Sequence, residues 1–69
     1  MPFVNIKVTG GEDSPTPEQK AALIKGATQL LSDVLGKNPA TTTVVIEEVD
    51  WDSWGVGGET VRVRRARQK

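Results

Sequence analysis

Between Phe3 and Thr9 the chain alternates with a period of two, placing Phe3, Asn5, Lys7 and Thr9 on one side and Val4, Ile6 and Val8 on the other. That pattern predicts a strand with one buried face. Gly10-Gly11-Glu12-Asp13-Ser14-Pro15 follows as a run of polar and turn-forming residues, so a loop without regular structure is expected. Thr16-Pro17-Glu18-Gln19 then reads as a helix start. The Thr16 hydroxyl is placed to cap, Pro17 sits where a missing N–H costs nothing, and Gln19 is spaced to close a capping box. Leu23, Ile24, Ala27, Leu30, Leu31, Val34 and Leu35 recur at three- and four-residue spacing and predict an apolar stripe packed on a sheet. Lys20, Lys25, Gln29 and Ser32 are assigned to the opposite side, and Gly36 supplies a C-cap. After Asn38 and Pro39, the β-branched run from Thr41 to Val49 predicts a second strand.

The centre of that second strand, Val44-Val45-Ile46, is apolar on both faces, whereas one helix covers only one face of a two-stranded sheet. The other face therefore calls for a second chain. Two strands flanking a helix through short loops predict a right-handed β-α-β unit with parallel strands, an α+β fold. The glycine-dense segment from Trp54 to Glu59 implies sharp turns. Val61 and Val63, alternating with Arg62 and Arg64, then predict a short terminal strand. Residues 1–69 read as a single domain, with 60–69 as a basic C-terminal segment.

Length tightens this picture. A chain of 69 residues buries only about 60% of the surface its unfolded form exposes, so its own core is thin. With no Cys and no His, neither a disulfide nor a conventional metal site is expected to supplement that core, and self-association remains. No apolar run is long enough for a membrane span or a signal-peptide core, so a cytoplasmic protein is expected. Nine Lys plus Arg balance nine Asp plus Glu, yet Arg62, Arg64, Arg65, Arg67 and Lys69 crowd the end of the chain. Such a cluster is a solvated terminus or a segment that meets anions.

The absence of His and Cys also excludes Ser-His-Asp and Cys-His nucleophiles. Adjacent Glu47 and Glu48 point to opposite faces of a strand, so they cannot pair as acid and base within one chain. Gly55-Val56-Gly57-Gly58 lacks the Lys-Ser/Thr of a phosphate loop and is read as a structural turn. Pro2 is different. Methionine aminopeptidases remove Met1 when the second residue is small, which exposes Pro2 as a secondary amine at the head of a buried strand. Apolar and cationic surroundings disfavour the charged amine and lower its pKa from about 8 toward neutrality, where a general base works well.

Together, Pro2 at the opening of a strand, Glu18-Gln19-Lys20 leading a helix through Leu23-Ile24, a valine-rich second strand ending in Glu48, and Trp54-Gly55-Val56-Gly57-Gly58-Glu59 resemble the 4-oxalocrotonate tautomerase family. The resemblance runs over nearly the whole chain, and Pro2 and the Trp54–Glu59 segment carry most of its specificity. It implies a β-α-β subunit that dimerises into a four-stranded sheet, a trimer of dimers as the usual assembly, and no metal or organic cofactor. It further implies that Pro2 moves a proton on a small enol or α-keto acid, with Trp54 at the position of an aromatic wall. Two substrate-binding arginines of the family are unmatched. Gly10-Gly11-Glu12 with an inserted Asp13-Ser14-Pro15 stands at the first position, and Thr43 or Val44 at the second. A hydroxyl or methyl does not replace a bidentate guanidinium, so Arg62, Arg64, Arg65 and Lys7 are the candidate carboxylate-binding residues. The alternative is a non-catalytic oligomeric binding protein of the same fold whose Arg-rich tail meets anionic ligands; membrane partners are not expected and nucleic acid is disfavoured.

Overall fold

The computed structural model describes residues 1–68, in the order β1 (Phe3–Thr9), α1 (Pro17–Leu35), β2 (Thr43–Val49), β3 (Gly55–Val56), β4 (Glu59–Thr60) and α2 (Val61–Arg67). Strands β1 and β2 pair in parallel, from Phe3 opposite Thr43 through to Thr9 opposite Val49. Helix α1 makes the crossover between them. In this register Val4, Ile6 and Val8 share the helix-covered face with Val44, Ile46 and Glu48, and Phe3, Asn5, Lys7 and Thr9 share the other with Thr43, Val45, Glu47 and Val49.

The ends of α1 follow from local chemistry. The Thr16 hydroxyl accepts from the Gln19 amide at 3.1 Å, and the Gln19 side chain accepts from the Thr16 amide at 2.9 Å, completing the capping box. Gly36 closes the helix in the left-handed region at φ 66°. The start of β2 differs from expectation. Asn38 caps a 3-10 turn over Pro39–Thr41, its side chain accepting from the Ala40 amide at 2.9 Å, so Thr41 belongs to the turn and β2 begins at Thr43. The expected irregular loop likewise contains a 3-10 turn over Gly11–Asp13.

The apolar stripe is broader than its own sheet can cover. Ala27 and Leu31 are half-buried, while Leu30 and Val34 remain 60% and 69% exposed. Lys20 and Ser32, assigned by sequence to the outer side, are half-buried as well. Lys20 lies one helical turn from Ile24 and reaches the sheet, where its ammonium meets the Glu48 carboxylate at 2.8 Å. The donors of Lys20 first, and the Ser14 hydroxyl second, hold the Glu48 carboxyl below its ordinary pKa. Among the described residues only Gly10 and Val61 are buried outright, so the thin core expected from length is what this chain has.

The C-terminal segment overturns one expectation. Val61–Arg67 is helical, not a strand, and the short β segment is instead the antiparallel hairpin of β3 with β4. Two alternations of valine and arginine are too few to distinguish a strand from a helix. The Thr60 hydroxyl decides it by accepting from the Val63 amide at 3.2 Å and capping α2. Arg64, Arg65 and Arg67 then occupy the last turn, where cations complement the helix dipole. In the hairpin, Gly57 and Gly58 both take positive φ, 61° and 86°, as a two-residue primed turn requires. The glycines read as a structural turn are therefore one. Lys69 of the basic segment lies outside the described residues.

Thr16→Ala should lower stability by about 1 kcal/mol through loss of the cap, read as a reduced denaturation midpoint with an unchanged denaturant slope. Glu48 has a depressed folded-state pKa. Its ionised form thus contributes stability that is present above the unfolded pKa and lost as pH falls through the folded one. Urea midpoints followed from pH 6 down to about 3 should fall less steeply for Glu48→Gln than for the parent.

Candidate active site

Pro2 stands at the N-terminal end of β1, half-buried, its carbonyl accepting from the Thr43 amide at 3.0 Å. Phe3 beside it is 65% exposed. Trp54 follows the opposite end of the sheet, beyond Val49, which pairs with Thr9. Along a strand, the five residue steps from Pro2 to Lys7 span about 16 Å. One chain therefore does not bring Pro2 and Trp54 together.

Lys7 and Trp54 do meet. With Val49, Ser53 and Gly55 they line an open cavity of about 280 Å³, on the sheet face that α1 leaves uncovered. The Lys7 ammonium is 2.9 Å from a Glu47 carboxylate oxygen, and the Asn5 side-chain amide donates to the same oxygen at 2.5 Å. Lys7 first and Asn5 second hold the Glu47 carboxyl below its ordinary pKa. Lys7 and Glu47 are both about half exposed, with side chains 56% and 47% accessible. Such a pair is screened and weak, leaving the ammonium free to exchange partners with an incoming carboxylate.

The arginines are placed elsewhere. Arg62 meets Asp52 at 2.6 Å, Arg65 meets Asp13 at 2.5 Å, and Arg64 lies 3.9 Å from Glu59, which also pairs with Arg67. Arg62 and Arg65 line a second cavity, of about 280 Å³, with Glu12, Trp51 and Ala66. A larger groove of about 570 Å³ runs along Ile6, Pro15, Gln19, Ala22, Leu23, Gly26, Ala27 and Leu30. Its lining contains no ionisable side chain, so it offers a packing surface rather than proton chemistry.

The sequence excluded Glu47 only as an acid/base partner of Glu48 and gave Trp51 no role. The indole N–H of Trp51 donates to the Gly10 carbonyl at 2.8 Å. An aromatic residue set in the acidic Asp50–Asp52 turn, with Arg62 and Arg65 following, was the available signal.

Residues 2–64 match the family model described as "Tautomerase enzyme". A "Probable tautomerase K2" from Dickeya dadantii (strain 3937) is 63% identical over 65 residues, covering 94% of each chain. The 2-hydroxymuconate tautomerase of Pseudomonas putida is 34% identical over 62 residues, 90% of this chain and 94% of that one. Among solved structures, DmpI from Helicobacter pylori superposes with a TM-score of 0.83 at 47% identity, over 90% of this chain and 98% of its own. Related structures include a heterohexamer from Chloroflexus aurantiacus and an asymmetric trimer of a fused protein. On sequence and fold together, this chain belongs to the 4-oxalocrotonate tautomerase family of tautomerase enzymes.

Proposed function

We propose that this protein is a cofactor-independent keto–enol tautomerase in which the Pro2 nitrogen, freed by removal of Met1, is the general base. The observation that carries the reading is that the family match begins at residue 2, on a proline that immediately precedes β1. The Pro2 amine takes a proton from one end of an enol or α-keto acid, becomes a secondary ammonium, and returns the proton at the other end. One C–H or O–H bond breaks and another forms, with no net redox change.

Lys7 holds the substrate carboxylate and Trp54 walls the site on its apolar side. Support for Lys7 over Arg62, Arg64 and Arg65 comes from placement: Lys7 lines the same cavity as Trp54, and none of the three arginines lines it. A single ammonium is a point charge and not a bidentate fork, so a small monocarboxylate suits this site better than the dicarboxylate that two arginines would clamp. Since Pro2 and the Lys7–Trp54 cavity lie far apart in one chain, the working site joins Pro2 of one subunit to Lys7 and Trp54 of a neighbour. Homo-oligomerisation, a dimer and then a trimer of dimers, would also cover the exposed leucines of α1. The non-catalytic alternative has less support, because residues 2–64 match a family of tautomerase enzymes.

Pro2→Ala should lower kcat/KM for ketonisation of phenylpyruvate enol at least about a hundredfold. A Met1-retaining form, verified by intact mass, should be inactive, and full turnover by that form would contradict the mechanism. Lys7→Met should raise KM more than it lowers kcat. If Pro2→Ala and Trp54→Ala are each impaired, mixing them under exchange conditions should restore part of the activity, because some hybrid sites regain both groups; no recovery in verified hybrids would place the site within one chain.

A further inference from the structure

The hairpin that follows Trp54 is attached to the β-α-β unit through a small set of contacts centred on Trp51. Its indole N–H donates to the Gly10 carbonyl at 2.8 Å, which pins the ring against the β1–α1 loop. Gly11 lies under the ring with φ 63°, and a Cβ there would sit 3.6 Å from the indole nitrogen. The Arg65 guanidinium stacks over the indole, 4.5 Å from the ring centroid, and Arg62 approaches to 5.8 Å. Arg65 is itself held by a two-point fork on Asp13, at 3.0 Å and 2.5 Å, and the Thr9 hydroxyl donates to the same carboxylate at 2.6 Å.

The other end of this cluster holds Trp54. The amide of Val61, the first residue of α2, donates to the Trp54 carbonyl at 2.8 Å, and the Arg62 amide donates to the Trp51 carbonyl at 3.4 Å. Val61 is one of the two buried residues among those described. Helix α2 thus grips the backbone of the Trp51–Trp54 turn at its start and the β1–α1 loop through Arg65 one turn later. Asp13, the acidic end of this chain of contacts, lies in the loop between β1 and α1.

We propose that Asp13, Arg65 and Trp51 form a clasp that positions Trp54 for the reaction, so that the β1–α1 loop and the C-terminal helix act as one positioning device. None of the three touches the substrate in this account. Arg65 serves as a brace and is unavailable as a carboxylate grip. The proposal rests on the reading of Trp54 as a wall of the site.

With only two tryptophans in the chain, the test is direct. Protein labelled with 5-fluorotryptophan gives two ¹⁹F resonances, and the one that survives in Trp51→Phe belongs to Trp54. Asp13→Ala and Arg65→Ala should each shift or broaden the Trp54 resonance and lower kcat/KM about tenfold, the size of effect expected for a slightly misplaced wall. The double variant should be no worse than the poorer single variant, because both break the same clasp. If either alanine variant fails to fold by circular dichroism, Asp13→Asn and Arg65→Lys should show the same coupled changes in weaker form.

An unchanged Trp54 resonance in folded variants would overturn the proposal. So would a loss of activity confined to the Arg65 variant, which would make Arg65 a direct substrate contact. A displaced Trp54 resonance with full turnover would also overturn it, and Trp54→Ala then separates the causes. Full turnover by Trp54→Ala means that the site reading failed, whereas lost turnover means that the clasp does not control the position that matters.

Discussion

Parallel pairing of β1 with β2 sets the terms for everything else in this small protein. Two parallel strands cannot be joined by a tight turn, so the connection must travel the length of the sheet, and α1 makes that crossing. The same pairing puts both strand beginnings at one end and both strand ends at the other. Pro2 is thereby held at the head of β1, while the turn carrying Trp54 leaves from the far end of β2. It also leaves one sheet face, with Lys7, Glu47 and Val49, outside the cover of the only long helix among the described residues. A wide separation of Pro2 from Trp54 and an uncovered face are two consequences of one topology.

Polar contacts do much of the positioning that a larger core would otherwise do. Lys20 crosses from α1 to Glu48 on β2, Lys7 joins Glu47 across the strands, and Arg65 joins α2 to Asp13. Each is partly exposed, so none is worth much as a stability term by itself. Their value is geometric. The Asp13 carboxyl, held below its ordinary pKa mainly by Arg65 and then by Thr9, stays ionised through the neutral range, so the contact between loop and helix persists wherever a near-neutral base would work.

What was legible in the sequence was what depends on near neighbours. The Thr16–Gln19 capping box, the Gly36 C-cap and the extent of β1 follow from residues within one turn or one pleat. The C-terminal helix was missed because two valines, Val61 and Val63, are too few to fix a period, and its Thr60 cap was not weighed. Lys20 was set on the wrong side because its charge was allowed to outweigh its position in the stripe, although a long side chain can lie along an apolar surface and reach a carboxylate beyond it. The candidate site was legible as a set of residue types and not as an arrangement. Trp51 bonds to a carbonyl 41 residues away and Arg65 to a carboxylate 52 residues away, contacts that no local pattern encodes. Lys7 was a candidate carboxylate-binding residue without a visible partner for that role, and the turn after β2 brings Trp54 and Gly55 into the same cavity.

The central claim is that the Pro2 nitrogen is a free amine tuned to accept a proton near neutral pH. Labelling proline with ¹⁵N and following the Pro2 nitrogen through a pH titration of the native assembly tests this most directly. The account predicts an amine resonance that titrates near pH 7, coincident with the acid limb of the kcat/KM profile. A Pro2 nitrogen that behaves as an amide and does not titrate, or an amine whose titration bears no relation to that profile, would contradict it.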